Sequence, residues 1–252
     1  MMNKRILCVL SFVLAFSVLV GCSNDSQETV SNGSSVPQKE EVELVLEQTP
    51  WQLEGVNGYL LFTNDKRVTI YDFSQLDGEN QEVGKFLTYE TGKNEQGLQT
   101  ITISYLHTDR DTTLFTYNKQ SKLFQSSDNS LLRSSSVSAY ANDFIKKIKE
   151  AESKGMDEFT SQAEMNVRSG VLCGYWNELH ESLKMHLKTI LTNDKYETFM
   201  QETKSFETQR DTAVQEAGKE VEGGSLYPVV TGGAYYTQTE KEIQRILTQY
   251  YQ

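Results

Sequence analysis

The stretch Gln99-Thr-Ile-Thr-Ile-Ser-Tyr105 alternates polar and apolar side chains from Thr100 onwards. This alternation places Ile101, Ile103 and Tyr105 on one face and predicts a β-strand with one buried side. Five further segments are rich in apolar and β-branched residues, and turn residues rather than helix patterns separate them. The predicted strands are residues 59–63, 68–73, 85–90, 99–105, 113–117 and, more weakly, 123–125.

Strands that follow one another without intervening helices form an antiparallel meander, so we predict a small β domain over residues 49–135. Its pattern is similar to that of the lipocalin-like or half-barrel domains found in exported bacterial lipoproteins. One face of the meander is expected to be apolar. The residues expected on that face are Trp51, Phe62, Phe86, Ile101, Ile103 and Phe115.

The spacing of apolar residues changes to three and four after Ser134-Ser-Ser136, which indicates amphipathic helices. Short connections between these helices predict an antiparallel helical bundle over residues 136–252. The start of the last helix stays open between Pro228 and the residues after Gly232-Gly233. The predicted fold is therefore α+β with two domains, a β meander followed by a helical bundle.

The first 21 residues have the pattern of a bacterial signal peptide, because Lys4 and Arg5 precede an apolar run over residues 6–20 that is short for a membrane helix. The run ends in Leu19-Val-Gly-Cys22, which resembles the lipobox of bacterial lipoproteins. The resemblance implies cleavage before Cys22, lipidation of its thiol and anchoring to the extracytoplasmic face of the cell membrane. The alternative is an ordinary secretory signal followed by an incidental cysteine.

A polar segment rich in acidic residues follows the predicted cleavage site. Residues 22–48 predict a lipidated N-terminus and a disordered tether, because such a composition buries too little apolar surface to fold. Residues 42–46, at its end, also fit a first strand. The tether would hold the folded part away from the membrane surface.

The chain as a whole is acidic, with 35 acidic and 24 basic residues and a net charge of −11. Binding to nucleic acid requires a basic face, so this class of function is excluded. The charge favours a basic protein partner instead. Cys173 is the one cysteine beyond Cys22, and we interpret it as a small buried apolar side chain rather than a nucleophile.

Residues 160–247 resemble the exported domain family named after the mycobacterial lysozyme inhibitor LprI. The shared motifs are Met165-Asn166, then Phe206 four residues before Arg210-Asp211, then Gly223-Gly-Ser-Leu-Tyr-Pro228. Their order and spacing follow the family pattern over about a third of the chain. Phe206 stands where the family has Trp. The positions of the family's cysteines are occupied here by Arg168, Val214 and Ala234.

The resemblance implies a non-catalytic binding protein of the cell envelope that inhibits lysozyme, a typically basic enzyme, by covering its cleft. The loop after the third helix is the predicted partner contact, since glycines there allow an exposed turn and aromatic residues anchor interfaces. The alternative is a plain helix-ending turn. The residues of this contact are Gly223, Gly224, Ser225 and Tyr227.

The other motif residues are interpreted as structural. We expect Arg210 to tie helices together through a carboxylate or a carbonyl and not to face its neighbour Asp211, with contact to a ligand as the alternative. Asn166 is expected to form a polar tie between helices. The residues in this group are Met165, Asn166, Phe206, Arg210 and Asp211.

Motifs of enzyme chemistry are missing from the sequence. His180-Glu181 begins like a zinc-protease helix, but Lys184 stands where the second histidine would be needed. We therefore predict that the protein is not an enzyme and uses no cofactor or metal. A non-catalytic interaction or scaffold module without lysozyme activity is the alternative function, and a wall-acting enzyme is a third, less favoured one.

Overall fold

The computed structural model describes residues 46–54, 57–76, 84–104, 112–153 and 161–251. These residues lie within one compact unit. The predicted signal peptide, Cys22 and residues 22–45 of the predicted tether lie outside the described residues. Within the described ranges, no helix has the length and apolar character needed to cross a membrane.

The first half of the fold is a closed barrel of eight antiparallel strands in chain order. The first strand pairs with the last, with Trp51 opposite Ser134 and Leu53 opposite Leu132, and this pairing closes the sheet. The predicted antiparallel meander is confirmed, and it forms a full barrel rather than a half-barrel. The strands are β1 Trp51–Leu53, β2 Gly58–Phe62, β3 Arg67–Asp72, β4 Gly84–Lys93, β5 Gln99–Ser104, β6 Thr112–Asn118, β7 Leu123–Ser126 and β8 Leu131–Ser134.

The inward-pointing side chains of alternate strand positions fill the barrel. Trp51 packs edge-on against Phe124, with ring centroids 5.3 Å apart. Five of the six residues predicted for the apolar face are buried here, and the side chain of the sixth, Phe86, lies outside the description. The buried interior consists of Leu46, Trp51, Leu60, Phe62, Val68, Leu87, Tyr89, Ile101, Ile103, Phe115, Phe124 and Leu132.

The end of the predicted tether is part of the barrel core. Leu46 is fully buried in the interior, and its carbonyl oxygen accepts a hydrogen bond from the Trp51 indole at 3.3 Å. The adjacent Glu47 accepts a hydrogen bond from the hydroxyl of Tyr89 at 2.8 Å. Residues 46–48, the last three of the segment assigned to the tether, are therefore part of the fold, and they are helical rather than the end of a first strand.

The second half of the fold consists of four long helices. A 3₁₀ turn, Lys219–Val221, extends the third of them. The last helix begins at Tyr227 with Pro228 in its first turn, where a missing backbone N–H breaks no helical bond. Gly232 and Gly233 therefore lie inside this helix. The helices are α1 Val137–Ser153, α2 Gln162–Ile190, α3 Asn193–Gly218 and α4 Tyr227–Tyr250.

The barrel and the helices share one hydrophobic core. Tyr59 and Tyr71 point out of the barrel wall, and each packs against Tyr140 of α1 at ring-centroid distances of 5.3 and 5.7 Å. The hydroxyl of Tyr59 also donates a 2.6 Å hydrogen bond to Asp143 on α1. The predicted division into two domains near residue 136 is thus not confirmed, because the core continues across that boundary.

Candidate functional site

The connection between α3 and α4 forms an exposed loop at the end of the helices. Gly223 has a φ of +73°, a left-handed conformation that favours glycine. The amide of Gly224 donates to the carbonyl of Val221 at 2.9 Å, and the amide of Tyr227 donates to the carbonyl of Gly224 at 3.1 Å. The predicted contact residues Gly223, Gly224, Ser225 and Tyr227 are all exposed.

Two large apolar side chains are exposed next to each other at this end of the helices. Leu226 is 47% exposed and Tyr227 is 38% exposed. We call Leu226 and Tyr227 the loop-end patch. Val167, near the start of α2, is 63% exposed but does not belong to this patch. Ser169 faces α4, since its hydroxyl donates to the carbonyl of Pro228 at 3.1 Å, and residues two apart on a helix point about 160° apart.

The two loop residues of this patch differ in how freely they project. The ring of Tyr227 lies against the end of α3, because a Cβ added at Gly218 would come within 2.6 Å of that ring. Tyr227 therefore joins α4 to α3 as well as presenting an edge to solvent. Leu226 is the more exposed of the two, so it is the better-defined contact residue.

Exposed acidic side chains flank the loop-end patch. Residues 211–227 contain four carboxylates and one cation, Lys219, and all five side chains are exposed. Lys219 is paired with Glu216 at 2.5 Å, so its charge is partly neutralised. The acidic residues of this segment are Asp211, Glu216, Glu220 and Glu222. An apolar patch with an acidic surround is suited to a basic partner surface.

Arg210 connects three helices, as the sequence predicts, but through different partners. Its guanidinium donates to the hydroxyl of Tyr235 on α4 at 3.2 Å, and that hydroxyl donates to the side-chain oxygen of Asn177 on α2 at 3.1 Å. The guanidinium also lies over the rings of Tyr235 and Phe206, at 4.4 and 5.6 Å from their centroids. The partner is thus a phenol between aromatic faces, not the expected carboxylate or carbonyl.

Two further expectations about the motif residues are wrong in detail. Arg210 does contact its neighbour, with 3.2 Å between its Nε and an oxygen of the exposed Asp211. Asn166 accepts a 3.0 Å hydrogen bond from Gln162, one turn earlier on the same helix, so this bond does not join two helices. Met165 is half-buried nearby.

The side chains most suited to acid–base or nucleophilic chemistry are enclosed by helix packing. Burial, reinforced by Lys184, Arg210 and Arg245, lowers the pKa of His180 to about 3, so its imidazole is neutral at pH 7. Burial raises the pKa of the Cys173 thiol to about 11. Among the described residues, His, Cys, Asp and Glu form no group of three or more that could hold a metal ion.

Comparison of the chain with protein-family models, with curated proteins and with solved structures finds no match in any of the three. The resemblance to the lysozyme-inhibitor family therefore stays a prediction that rests on the motifs quoted above.

Sequence reasoning identified the loop but missed one of the two residues of its patch. Leu226 lies inside the predicted contact segment, yet only the glycines, Ser225 and Tyr227 were selected there. A large apolar residue within a surface loop is the signal that could have marked it.

Proposed function

We propose that the protein is a membrane-anchored, extracytoplasmic binding lipoprotein that inhibits lysozyme by covering its cleft with the loop-end patch. It acts without catalysis, and a lipid on Cys22 holds it at the cell membrane. The observation that carries the proposal is the pair of adjacent exposed apolar side chains, Leu226 and Tyr227, at the end of an acidic segment. Isolated exposed apolar residues are common on protein surfaces, whereas grouped ones mark interaction sites.

The charge of the surround supports a basic partner. Charges at the rim of an interface mainly accelerate association, and this contribution weakens as salt increases. The apolar patch contributes a part of the affinity that does not depend on salt. Lysozymes are typically basic, so the two parts of this surface together suit such an enzyme better than a neutral or an acidic partner.

The position of the patch also suits a protein held by its N-terminus. The C-terminal end of α4 is near the start of α1, since the Ser138 hydroxyl donates to the carbonyl of Tyr251 at 3.3 Å. The 24 residues of α4 span about 36 Å at 1.5 Å per residue. The loop-end patch therefore lies about one helix length away from the end of the helices at which α1 leaves the barrel. A tether joined to the barrel at Leu46 leaves this patch accessible.

We further propose that the four helices form the antiparallel bundle expected from the sequence. Two contacts between α1 and α2 support opposite directions, because Tyr140 is bonded to Ser182 and Glu152 to Trp176, at 2.8 and 2.9 Å. The bundle would give the patch a rigid base. A rigid base keeps the entropy lost on binding small.

The test is a turbidity assay of lysozyme on cell walls, with the full-length chain in a non-ionic detergent at low and at physiological salt. Detergent alone and an unrelated protein of equal net charge are the controls. We expect inhibition that persists at physiological salt. Inhibition that disappears with salt, or that the charge control reproduces, contradicts a specific inhibitor.

Leu226→Ala is the decisive variant, with Val167→Ala as its matched control. Val167 is an exposed apolar residue of α2 outside the loop-end patch, so its truncation controls for the general loss of exposed apolar surface. We expect Leu226→Ala to weaken inhibition about three- to tenfold, the effect of an interface residue worth about 1 kcal/mol. Equal inhibition by both variants contradicts the assigned surface. Binding of lysozyme without inhibition supports the interaction-module alternative.

A further inference from the structure

A second candidate binding surface lies on the barrel wall, away from the loop between α3 and α4. It is a cleft of about 630 Å³ alongside β6 and β7, within the range of about 300–1,000 Å³ for small-molecule sites. Phe115 and Phe124 point into the barrel, so their neighbours Thr116 and Gln125 point outwards. These two residues are directly opposite each other in the β6–β7 ladder.

The cleft lining is almost uncharged. Hydroxyl and amide side chains are its most numerous groups and Lys119 is the one charged side chain among its described residues, although most of the lining surface is carbon. Leu114 contributes an aliphatic surface that is 52% exposed, whereas the ring of Tyr117 packs towards the barrel interior against Phe124, at a centroid distance of 4.8 Å. The chain as a whole has 35 acidic and 24 basic residues, so an almost uncharged surface is unusual for it.

The side-chain amide of Gln125 is held in position for recognition. Its Nε2 donates a 3.1 Å hydrogen bond to Asn129. This bond uses one of its two N–H groups and leaves the second N–H and the carbonyl oxygen as a donor and an acceptor. Such a pair matches a ligand whose groups both donate and accept.

The barrel itself argues against three other classes of ligand. The described interior side chains are buried against one another, so they do not present an open surface to a lipophilic molecule. The sheet is closed, so a peptide cannot add as a further strand. A strongly charged ligand would meet a single cation among the described residues of the cleft. Hydroxyl groups paired with amides, on an apolar support, fit an uncharged sugar.

We propose that the cleft between β6 and β7 binds a short neutral oligosaccharide. Thr116 and Gln125 hydrogen-bond its hydroxyl groups, and Leu114 supports the apolar C–H face of one of its rings. The site is distinct from the loop-end patch and does not depend on the function proposed for it. It adds glycan recognition to a protein whose other surface binds a protein partner.

The experiment is a calorimetric titration of the full-length chain, in a detergent that contains no sugar, with maltotriose, cellotriose and tri-N-acetylchitotriose. Sugars bound in open clefts bind weakly, so the titration extends to about 10 mM, ten times a roughly millimolar dissociation constant. We expect saturable binding of at least one trisaccharide. The absence of saturable binding for all three overturns the proposal.

Gln125→Ala and Gln52→Ala form a matched pair for locating the site. Both glutamines are exposed on strands of the barrel wall, but Gln52 is on β1, outside the cleft. We expect Gln125→Ala to weaken binding about three- to tenfold, as for the loss of one hydrogen bond, and Gln52→Ala to leave it unchanged. Equal affinities in the two variants overturn the assignment.

Thr116→Val serves as a second variant, since it removes the hydroxyl while keeping a β-branched side chain suited to a strand. We expect it to weaken binding by a similar factor. Circular dichroism and the thermal unfolding midpoint verify that each variant folds. A Thr116→Val variant that is folded and binds as tightly as the unchanged chain contradicts the hydrogen-bonding role of this residue.

Discussion

Replacing Gly232 by alanine is expected to destabilise the protein, although alanine favours helices. Gly232 lies where α4 crosses α2, and a Cβ added there would be 1.9 Å from the hydroxyl oxygen of Ser169. That hydroxyl is buried and donates to the carbonyl of Pro228 at 3.1 Å. Rotating it away breaks the hydrogen bond, and moving the helices apart loosens their packing.

The expected magnitude follows from these opposing contributions. Loss of the hydrogen bond costs about 0.5–1.5 kcal/mol, and forcing a methyl group into a packed contact costs about 1–3 kcal/mol. The higher helix propensity of alanine relative to glycine offsets about 1 kcal/mol of this loss. We therefore expect the free energy of unfolding of Gly232→Ala to fall by about 1–3 kcal/mol.

The adjacent glycine provides a matched control of opposite sign. At Gly233 the nearest atom to an added Cβ is the hydroxyl oxygen of Tyr236, at 3.7 Å, which is an ordinary contact. Gly233→Ala should therefore gain up to about 1 kcal/mol from helix propensity alone. The two variants differ only by one position in the same helix.

The assay is urea unfolding followed by circular dichroism, with stability taken from the midpoint where the slope is unchanged. The urea midpoints of the two variants should move in opposite directions. Their free energies of unfolding should differ by about 2–4 kcal/mol. Ser169→Ala combined with Gly232→Ala should recover part of the loss, because the oxygen that meets the new Cβ is gone. A Gly232→Ala variant as stable as Gly233→Ala would refute the close helix crossing.

Two further predictions concern the buried polar groups of the shared core. Burial lowers the pKa of His180 to about 3, from about 6.5 in an unfolded chain. The contribution of the neutral imidazole to stability is therefore present above pH 6.5 and is lost as the pH falls towards 3. In urea titrations at several pH values, His180→Leu should lose less unfolding free energy over that range than the unchanged chain. The hydroxyl of Tyr71 has no hydrogen-bond partner among the described residues, whereas the hydroxyl of Tyr140 donates to Ser182 at 2.8 Å. Tyr140→Phe should therefore lower the free energy of unfolding by about 0.5–1.5 kcal/mol, and Tyr71→Phe should lower it by less. An equal loss in the two variants contradicts this difference.

The six predicted strands are present because alternation or a run of apolar and β-branched residues marks them. β5, for example, has two successive apolar–polar pairs, Ile101-Thr102 and Ile103-Ser104. β1 and β8 were missed, since Trp51–Leu53 has only three residues and Leu131–Ser134 begins with two adjacent leucines, so neither shows a clear alternation. These are the strands that close the barrel, so the sequence indicates a meander but not its closure.

The shared core could have been expected from β2. All five residues of Gly58–Phe62 are buried, because Leu60 and Phe62 fill the barrel while Tyr59 and Leu61 pack towards the helices. An uninterrupted apolar run is typical of a strand covered on both faces. The change at Ser134-Ser-Ser136 marks a change of secondary structure, and the cluster of residues buried between the barrel wall and the helices continues across it.

In the candidate site, too, features set by neighbouring residues could be predicted, whereas contacts between residues distant in sequence could not. The turn at Gly223 was predictable, since a glycine after a helix allows a left-handed residue. The role of Arg210 as a link between helices was predictable from its type, but its aromatic partner Tyr235 is 25 residues away and depends on how α3 and α4 pack.

The two proposed surfaces belong to different parts of the fold, and this separation makes their functions experimentally independent. Leu226 lies in the α3–α4 loop, whereas Gln125 lies on β7 of the barrel wall. Substitutions at distant sites without shared partners have additive effects. A variant with both Leu226→Ala and Gln125→Ala should therefore lose lysozyme inhibition and oligosaccharide binding by the same factors as the single variants. A larger combined loss would mean that ligand binding at one surface changes the other, and the barrel–helix core around Tyr59 and Tyr140 is the route by which such a change would travel.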